Sequence, residues 1–275
     1  MDHSLLFYKS CYMELFCFDV DGTLRETGGE HRVPQSTIQA LRLLKEKGHK
    51  IIVSTGRGYD SLCRTQILDI ADFDGYVVNN GQLVLDSKRN VIEKHVMPVK
   101  TVHEVLDLAN KLNLCVTLKM DKRLINKEPD EYVYETQRYF GNIIPEVREY
   151  DEKEDVYAIC LYGPKGWDYA PYRQIAGLEV APGLSTYADA SIASVSKASG
   201  NEVFCKLFHT DGYIAFGDSQ NDLKMFKNAK ISICMGNGDI LTKKIADYVT
   251  SDLEDDGILK ACMHYGWIKE GDLDE

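Results

Sequence analysis

The sequence predicts an α/β protein, a doubly wound parallel-sheet core interrupted by an inserted α+β unit. Three observations carry that prediction. Short apolar runs alternate with amphipathic helical stretches in both terminal parts of the chain, the signature of right-handed βαβ units. Between those parts the pattern changes to hairpins mixed with helices. The core strands also end in polar, glycine-containing loops, at the edge where a parallel sheet gathers its ligands. A length of 275 residues suits one large domain or two smaller ones, at roughly 100–200 residues each.

The elements follow in order. Glu14-Leu15-Phe16-Cys17-Phe18-Asp19-Val20-Asp21 is an apolar run that ends in acids and then Gly22, a buried strand stopping at a loop. Ser36 to Lys47 is helical, with Ile38, Leu41 and Leu44 on one face, Ser36 as candidate cap and Gly48 as terminator. Lys50-Ile51-Ile52-Val53 is a second strand, ending at Ser54-Thr55-Gly56-Arg57. A helical stretch around Asp60 to Leu68 leads to a third strand, Gly75-Tyr76-Val77-Val78, and to the turn Asn79-Asn80-Gly81. Gln82 to Leu85 and Val91 to Val96 then read as an antiparallel hairpin. A helix carries Val102, Val105, Leu106, Ala109 and Leu112 on one face, and another runs near Asp130 to Phe140. Strands are expected at Leu114 to Lys119, Val156 to Tyr162 and Gly177 to Val180. The insert is therefore placed at 82–184, between Gly81 and Pro182-Gly183, with the core at 1–81 and 185–275. Ser185 to Val195 is read as a returning strand and connector.

After Lys197 the alternation resumes. A helix spans Ser199 to Phe208, and the strand Tyr213-Ile214-Ala215-Phe216 ends at Gly217-Asp218-Ser219-Gln220-Asn221-Asp222. Leu223 to Ala229 is helical, Ile231 to Met235 is a strand, and helices at Asp239 to Ala246 and Gly257 to His264 complete the set. Residues 1–12 belong to no clear element, so a chain starting at Met13 is expected to be as stable and as active as the longer one.

Composition narrows the function. With 44% hydrophobic and 27% charged residues, wholesale disorder, collagen and coiled coil are excluded. The 32 Lys and Arg against 43 Asp and Glu give a net charge of −11, which argues against a broad nucleic-acid surface. An anionic substrate must then be met by locally placed cations, a metal or backbone N–H groups. No apolar run is long enough for a membrane span. Eight scattered cysteines without a Cys-x-x-Cys, and no signal-peptide pattern, point to reduced thiols in a cytoplasm. His31, His49, His95, His103, His209 and His264 form no cluster.

Four strand ends carry the chemistry: Asp19-Val20-Asp21-Gly22-Thr23, Ser54-Thr55-Gly56-Arg57, Asn79-Asn80-Gly81 and Gly217-Asp218. The topology brings them together although they are far apart in sequence. Carboxylates crowded at one sheet edge repel unless a cation neutralises them, and oxygen-only ligands point to Mg²⁺. Thr55 and nearby N–H groups suit phosphate, while Arg57 and Lys197 supply positive charge. Metal, cations and an acid pair are what phosphoryl transfer demands.

These motifs resemble those of the haloacid dehalogenase-like hydrolases. Asp19-x-Asp21-Gly22-Thr23-Leu24 after an apolar strand is similar to their first motif and Ser54-Thr55-Gly56-Arg57 to the second. Lys197 in Val195-Ser196-Lys197 is similar to the third, and Gly217-Asp218-Ser219-Gln220-Asn221-Asp222 to the fourth. The insert after the third strand resembles the Cof-type, class IIB cap. The resemblance implies a Rossmann-like core with Asp19 as nucleophile and Asp21 as general acid/base. It implies phosphate on Thr55, Gly56, Lys197 and Asn221, and Mg²⁺ on Asp19, the Asp21 carbonyl and Asp218. One departure is Ala198, where many relatives carry Gly.

Several residues keep two readings. Asp222 either charges the first turn of the next helix or supports the metal from behind. Arg57 either steers phosphate or pairs with a surface acid, and Asn80 belongs either to the site or only to its turn. The aromatics of the insert, Trp167 among them, either line the substrate or pack its core. The function expected is a Mg²⁺-dependent phosphatase acting on a small phosphorylated metabolite, most simply a sugar phosphate, with flavin or pyridoxal phosphates next. The rivals are a phosphosugar mutase and a receiver-like regulator that is phosphorylated without turnover. Neither nucleic acid nor membrane is an expected partner.

Overall fold

The computed structural model describes residues 13–273. The expectation about a start at Met13 turns on residues 1–12 and lies outside that range. The core elements are β1 (Leu15–Phe18), α1 (Gln35–Glu46), β2 (Lys50–Ser54), the short α2 (Tyr59–Leu62) and α3 (Ile67–Ile70), and β3 (Gly75–Val78). A hairpin of β4 (Leu83–Asp86) and β5 (Val91–Lys94) follows. The chain then builds α4 (Val99–Leu112), β6 (Val116–Lys119), β7 (Leu124–Ile125), α5 (Glu131–Phe140), β8 (Glu146–Val147), β9 (Ala158–Tyr162), β10 (Leu178–Pro182) and β11 (Tyr187–Ile192). It returns through α6 (Lys197–Phe208), β12 (Ile214–Gly217), α7 (Leu223–Asn228), β13 (Ile231–Cys234), α8 (Ile240–Ile245), β14 (Tyr248–Val249) and α9 (Gly257–His264).

The core sheet has eight strands in the order β14-β13-β12-β1-β2-β3-β4-β5, parallel from β14 to β3. β1 lies in its middle, with Phe18 opposite Val53 on one side and Phe216 on the other. Every residue of β1 is buried because both sheet faces are covered. Phe16 and Phe18 pack with Leu41, Leu44 and Ile258 from α1 and α9, whereas Leu15 and Cys17 pack with Phe204 and Phe226 from α6 and α7. That two-sided burial produces the continuous apolar run read in the sequence. Helix α1 starts after Pro34, whose fixed backbone suits a helix entrance, so Ser36 lies inside the helix and does not cap it. Gly48 ends that segment at φ +83, a conformation glycine adopts without strain.

The second sheet has the order β10-β11-β9-β6-β7-β8. Its strands alternate. Val116, Leu118, Ile159, Leu161, Ala188 and Ala190 face α4, where Val102, Val105 and Ala109 complete a separate apolar core. Thr117, Cys160, Tyr162, Tyr187 and Asp189 therefore face the other way, toward the core domain.

The sheets correct the expected boundaries of the insert. The hairpin is not part of it: β4 pairs antiparallel with β3, Val78 opposite Leu83, and extends the core sheet. The expected return strand is not a connector either, since β11 pairs with both β9 and β10 at the centre of the cap sheet. Asn79–Gly81 is accordingly a turn inside the core sheet, and Gly183 closes the β10–β11 hairpin, its N–H donating to the Tyr187 carbonyl. The chain crosses between the sheets at 95–98 and 193–196, so the cap spans about 99–192 rather than 82–184.

Candidate active site

The carboxyl ends of β1, β2, β3 and β12 converge as their strand order requires. Asp19 is the first residue beyond β1, and its N–H donates to the Phe216 carbonyl of β12 at 3.0 Å, so the sheet ladder itself fixes it. The chain then turns sharply: the N–H groups of Leu24 and Arg25 both return to the Val20 carbonyl. Gly22 sits in this turn at φ +83, and a Cβ there would lie 2.3 Å from Asp218 Oδ2. Backbone conformation and crowding both demand glycine.

Lys197 is completely buried at the first position of α6, just after Ser196, whose hydroxyl caps that helix. Its Nζ donates to Asp19 Oδ1 and to Asp222 Oδ1, both at 2.7 Å. Burial alone would lower the pKa of this amine, but the two carboxylates outweigh it and raise it, so Lys197 stays charged. Gly81 makes room for it: a Cβ there would meet the Ser196 carbonyl oxygen at 2.1 Å. Ala198 is accommodated in the same buried turn.

Asp222 neither caps α7 nor stands open to a ligand. Its Oδ1 accepts from Lys197, and its Oδ2 accepts from the N–H groups of Asp218 at 2.9 Å and Ser219 at 3.1 Å. It holds the lysine and the Asp218 loop in one grip. Asp218 itself differs. Its Oδ1 is buried and has no hydrogen-bond partner among the described residues. Asp19, Asp218 and Asp222 can each bring an oxygen within 4.8 Å of the others. Burial pushes the carboxyls of Asp19 and Asp218 up and Lys197 opposes it at both, while repulsion from Asp222 adds at both and repulsion from Asp19 adds at Asp218. With Asp222 fully engaged, a bare carboxylate on Asp218 next to Asp19 is a hard-oxygen pair in need of a cation, and it fits Mg²⁺.

Asp21 turns its carboxylate away from that pair. Arg57 grips both of its oxygens, Nε to Oδ2 at 2.5 Å and Nη2 to Oδ1 at 2.9 Å. Arg25 stands 3.8 Å from the same carboxylate. Arg57 is thus paired with an acid, and that acid belongs to the site. Thr55 is buried, with its hydroxyl accepting from the Arg57 N–H at 3.1 Å. Asn80, at φ +57, shapes its turn, and its side chain bonds Asp189 at 3.1 Å and Asn221 at 3.2 Å. Asn221 also accepts from Ser219 Oγ at 2.8 Å.

The cap closes the cleft, whose volume is about 770 Å³ including its open mouth. Its residues are the ones sequence reasoning missed. Asp189 on β11 accepts from Lys119 on β6 at 2.6 Å, and Lys119 also donates to the Gly56 carbonyl at 2.7 Å. Gly56 permits this approach, since a Cβ there would lie 2.6 Å from Asp189 Oδ2. Tyr162 receives Gln137 Nε2 and meets Thr117 Oγ1, each at 2.9 Å. Arg123, also buried, bonds Asp60 at 2.8 Å. For the strand residues Thr117, Lys119 and Asp189 the signal available was the alternation of polar and apolar residues in β6 and β11. Trp167, by contrast, stacks on Tyr169 within the cap's own core, ring centroids 4.4 Å apart. The seven described cysteines are free thiols, and no described helix is long and apolar enough to cross a membrane.

Comparison with known proteins agrees with this geometry. Residues 16–262 match the family model of the haloacid dehalogenase-like hydrolases. The chain is 27% identical over 258 residues to the 5-amino-6-(5-phospho-D-ribitylamino)uracil phosphatase YcsE of Bacillus subtilis, covering 92% of this chain and 96% of that protein. It is 24% identical over 261 residues to the pyridoxal phosphate phosphatase YbhA of Escherichia coli, covering 89% of this chain and 95% of that one. Among solved structures, the subclass IIB sugar phosphatase BT4131 superposes with a TM-score of 0.83 at 28% identity, over 93% of this chain and 100% of the other. A parallel-sheet core that aligns its acids at one edge, an intruding cap and these likenesses lead to one assignment: the chain belongs to the haloacid dehalogenase-like hydrolases, of the Cof type with a class IIB cap, and is a phosphatase.

Proposed function

We propose that this enzyme hydrolyses the phosphate ester of a small polyhydroxylated metabolite, a sugar or sugar-alcohol phosphate, with Mg²⁺ as cofactor and Asp19 as nucleophile. The observation that carries the reading is the buried set of Asp19, Lys197 and Asp218 at the floor of a cleft whose roof is hydroxyl and amide. An oxygen of Asp19 attacks phosphorus while the bond to the leaving alkoxide breaks and its oxygen takes a proton from Asp21. Water then attacks phosphorus and gives a proton to Asp21. The acyl–phosphate bond breaks, its electrons return to Asp19 and inorganic phosphate leaves. Lys197 and the Thr55 hydroxyl hold phosphate oxygens, and Gly56 and Asn221 line the same position. Mg²⁺, held by Asp19, Asp218 and the Asp21 carbonyl, supplies charge neutralisation between nucleophile and phosphate when bound.

The cap argues for the substrate class. Its two buried cations in the cleft are already matched, Lys119 by Asp189 and Arg123 by Asp60. A second anionic group on the substrate would find no free partner there. Thr117, Tyr162 and Gln137 instead offer a row of neutral donors and acceptors suited to alcohol groups. The similarity to a ribityl-phosphate phosphatase and to a sugar phosphatase points the same way, since both names describe a polyol chain beside phosphate.

The test is phosphate release across a panel of phosphorylated metabolites with Mg²⁺, ranked by kcat/KM. Sugar and sugar-alcohol phosphates should lead it, and bisphosphates and carboxylate-bearing phosphates should trail. Transfer of phosphate between substrate hydroxyls, with none set free, would move the enzyme to the phosphosugar mutases.

A further inference from the structure

Arg57 connects the cap to Asp21. Besides its two bonds to that carboxylate, its Nη1 donates to Ser61 Oγ at 2.9 Å and its Nη2 to the Phe140 carbonyl at 2.7 Å. The Phe140 ring lies against the guanidinium, 5.3 Å from its carbon to the ring centroid. Phe140 is the last residue of cap helix α5, whereas Ser61 lies on core helix α2. The two are fastened to each other. Asn142 of the cap donates to Ser61 Oγ at 2.7 Å and accepts from Arg123 Nη2 at 3.2 Å, and Arg123 grips Asp60, the residue before Ser61. Three hydrogen bonds, with the peptide bond from Asp60 to Ser61, thus join Asp60, Arg123, Asn142 and Ser61 in a closed ring across the domain boundary. Each of these four side chains is at least half-buried, which shields the ring from competing water.

From this arrangement we infer that cap closure positions Asp21 through Arg57, with Ser61 and Asn142 as positioning residues for proton transfer to the leaving group. The inference rests on Asp21 being the general acid of the proposed reaction. A guanidinium fixed on four sides holds a carboxylate in one orientation. Opening the cap removes the Phe140 carbonyl, the Phe140 ring and the Asn142 amide at once, leaving Arg57 only Asp21 and Ser61. Protonation of the leaving group would then be efficient only after the cap has closed over the substrate. The device couples chemistry to the exclusion of water.

The readout is the ratio of kcat on the best sugar phosphate to kcat on p-nitrophenyl phosphate, whose leaving group needs no proton. Asn142→Ala removes one hydrogen bond from the relay and should lower this ratio about two- to tenfold. Arg57→Lys keeps the charge but loses the fork on Asp21, and should lower it roughly 10–100-fold, within the usual contribution of a general acid. In an Asp21→Asn background neither change should lower the ratio further. Equal losses on both substrates in the two variants, or additive losses in the Asp21→Asn background, would overturn the relay and leave Asp21 as the acid. An Asp21→Asn enzyme with an unchanged ratio gives a different pattern: it would remove Asp21 from the acid role, and the relay with it.

Discussion

Asp222→Asn tests the electrostatic floor of the site most directly. The substitution preserves size but replaces one carboxylate oxygen with an amide that only donates. Asp222 is fully buried, and both oxygens are in use, one on the Lys197 ammonium and one on two backbone N–H groups. The amide nitrogen must therefore face a donor whichever way it turns. If it faces Lys197, a buried charge loses one of its two partners. If it faces the loop, the N–H groups of Asp218 and Ser219 lose theirs. Breaking a buried ion pair costs about 3–5 kcal/mol, and an orphaned buried donor about 1–3 kcal/mol. Because Lys197 keeps Asp19 at 2.7 Å, the net loss should be about 2–4 kcal/mol. At roughly 2–4 °C per kcal/mol for a chain of this size, the melting temperature should fall by about 4–16 °C. Activity should fall roughly 10–100-fold, since Lys197 is drawn wholly onto the nucleophile and the Asp218 loop is released. Calorimetry with steady-state kinetics on the same preparation reads both effects. A melting temperature within 2 °C (roughly one kcal/mol or less) of the parent would refute the reasoning and show that Asp19 alone satisfies the lysine.

Three further outcomes are expected. Asp19→Asn should abolish phosphate release while leaving the melting temperature within a few degrees, because an amide of the same shape cannot attack phosphorus; retained turnover would exclude the covalent route. Excess chelator should remove activity and Mg²⁺ should restore it, and Mg²⁺ should raise the melting temperature of the parent but not of Asp218→Ala, which lacks the unpartnered oxygen. Gly22→Ala should lose nearly all activity, since φ +83 strains alanine and its Cβ would displace Asp218 from a distance of 2.3 Å; a crystal structure of the variant with Asp218 unmoved would contradict this.

The core was legible because its strands are buried on both faces and end in the residues that do the chemistry. Leu15 to Phe18 shows no alternation, and a run of that kind belongs in the middle of a covered sheet. The same rule, applied further along, says which strands are covered on both faces and not which sheet they join, since Ala158 to Tyr162 of the cap is also buried at every position. Leu83-Val84-Leu85 is likewise a continuous apolar run, buried at every position, and it lies in the core sheet. Val116-Thr117-Leu118-Lys119 alternates, and it lies in the cap, where one face packs on α4 and the other looks onto the cleft. Hairpin chemistry is local and says only that β4 meets β5. Which sheet receives the pair is decided by register with β3, a contact the turn residues do not encode.

The candidate site divides along the same line. Residues at strand ends such as Asp19 and Thr55 are placed by backbone ladders that a strand pattern already implies. The partners that decide their behaviour are side chains meeting over long separations. Asp222 is the turn acid its neighbours in sequence suggest, with one oxygen on the Asp218 and Ser219 N–H groups, but its other oxygen lies on a lysine from another helix. Arg57 could be read as a phosphate ligand because it follows Thr55 and Gly56, and it lies instead on Asp21. Asp189 carries the plainest lesson. An acid between two alanines in an otherwise buried strand is costly unless something pays its desolvation, and here Lys119 and Asn80 both do. Such an acid marks the face of the cap sheet that looks onto the cleft. The period-two pattern then assigns Tyr187 to that same face. Cross-strand pairing opposite β9 adds Cys160 and Tyr162, and pairing of β9 with β6 adds Thr117. One anomalous aspartate and the pleat of a strand thus lead to the wall that would meet the leaving group, without any motif to announce it.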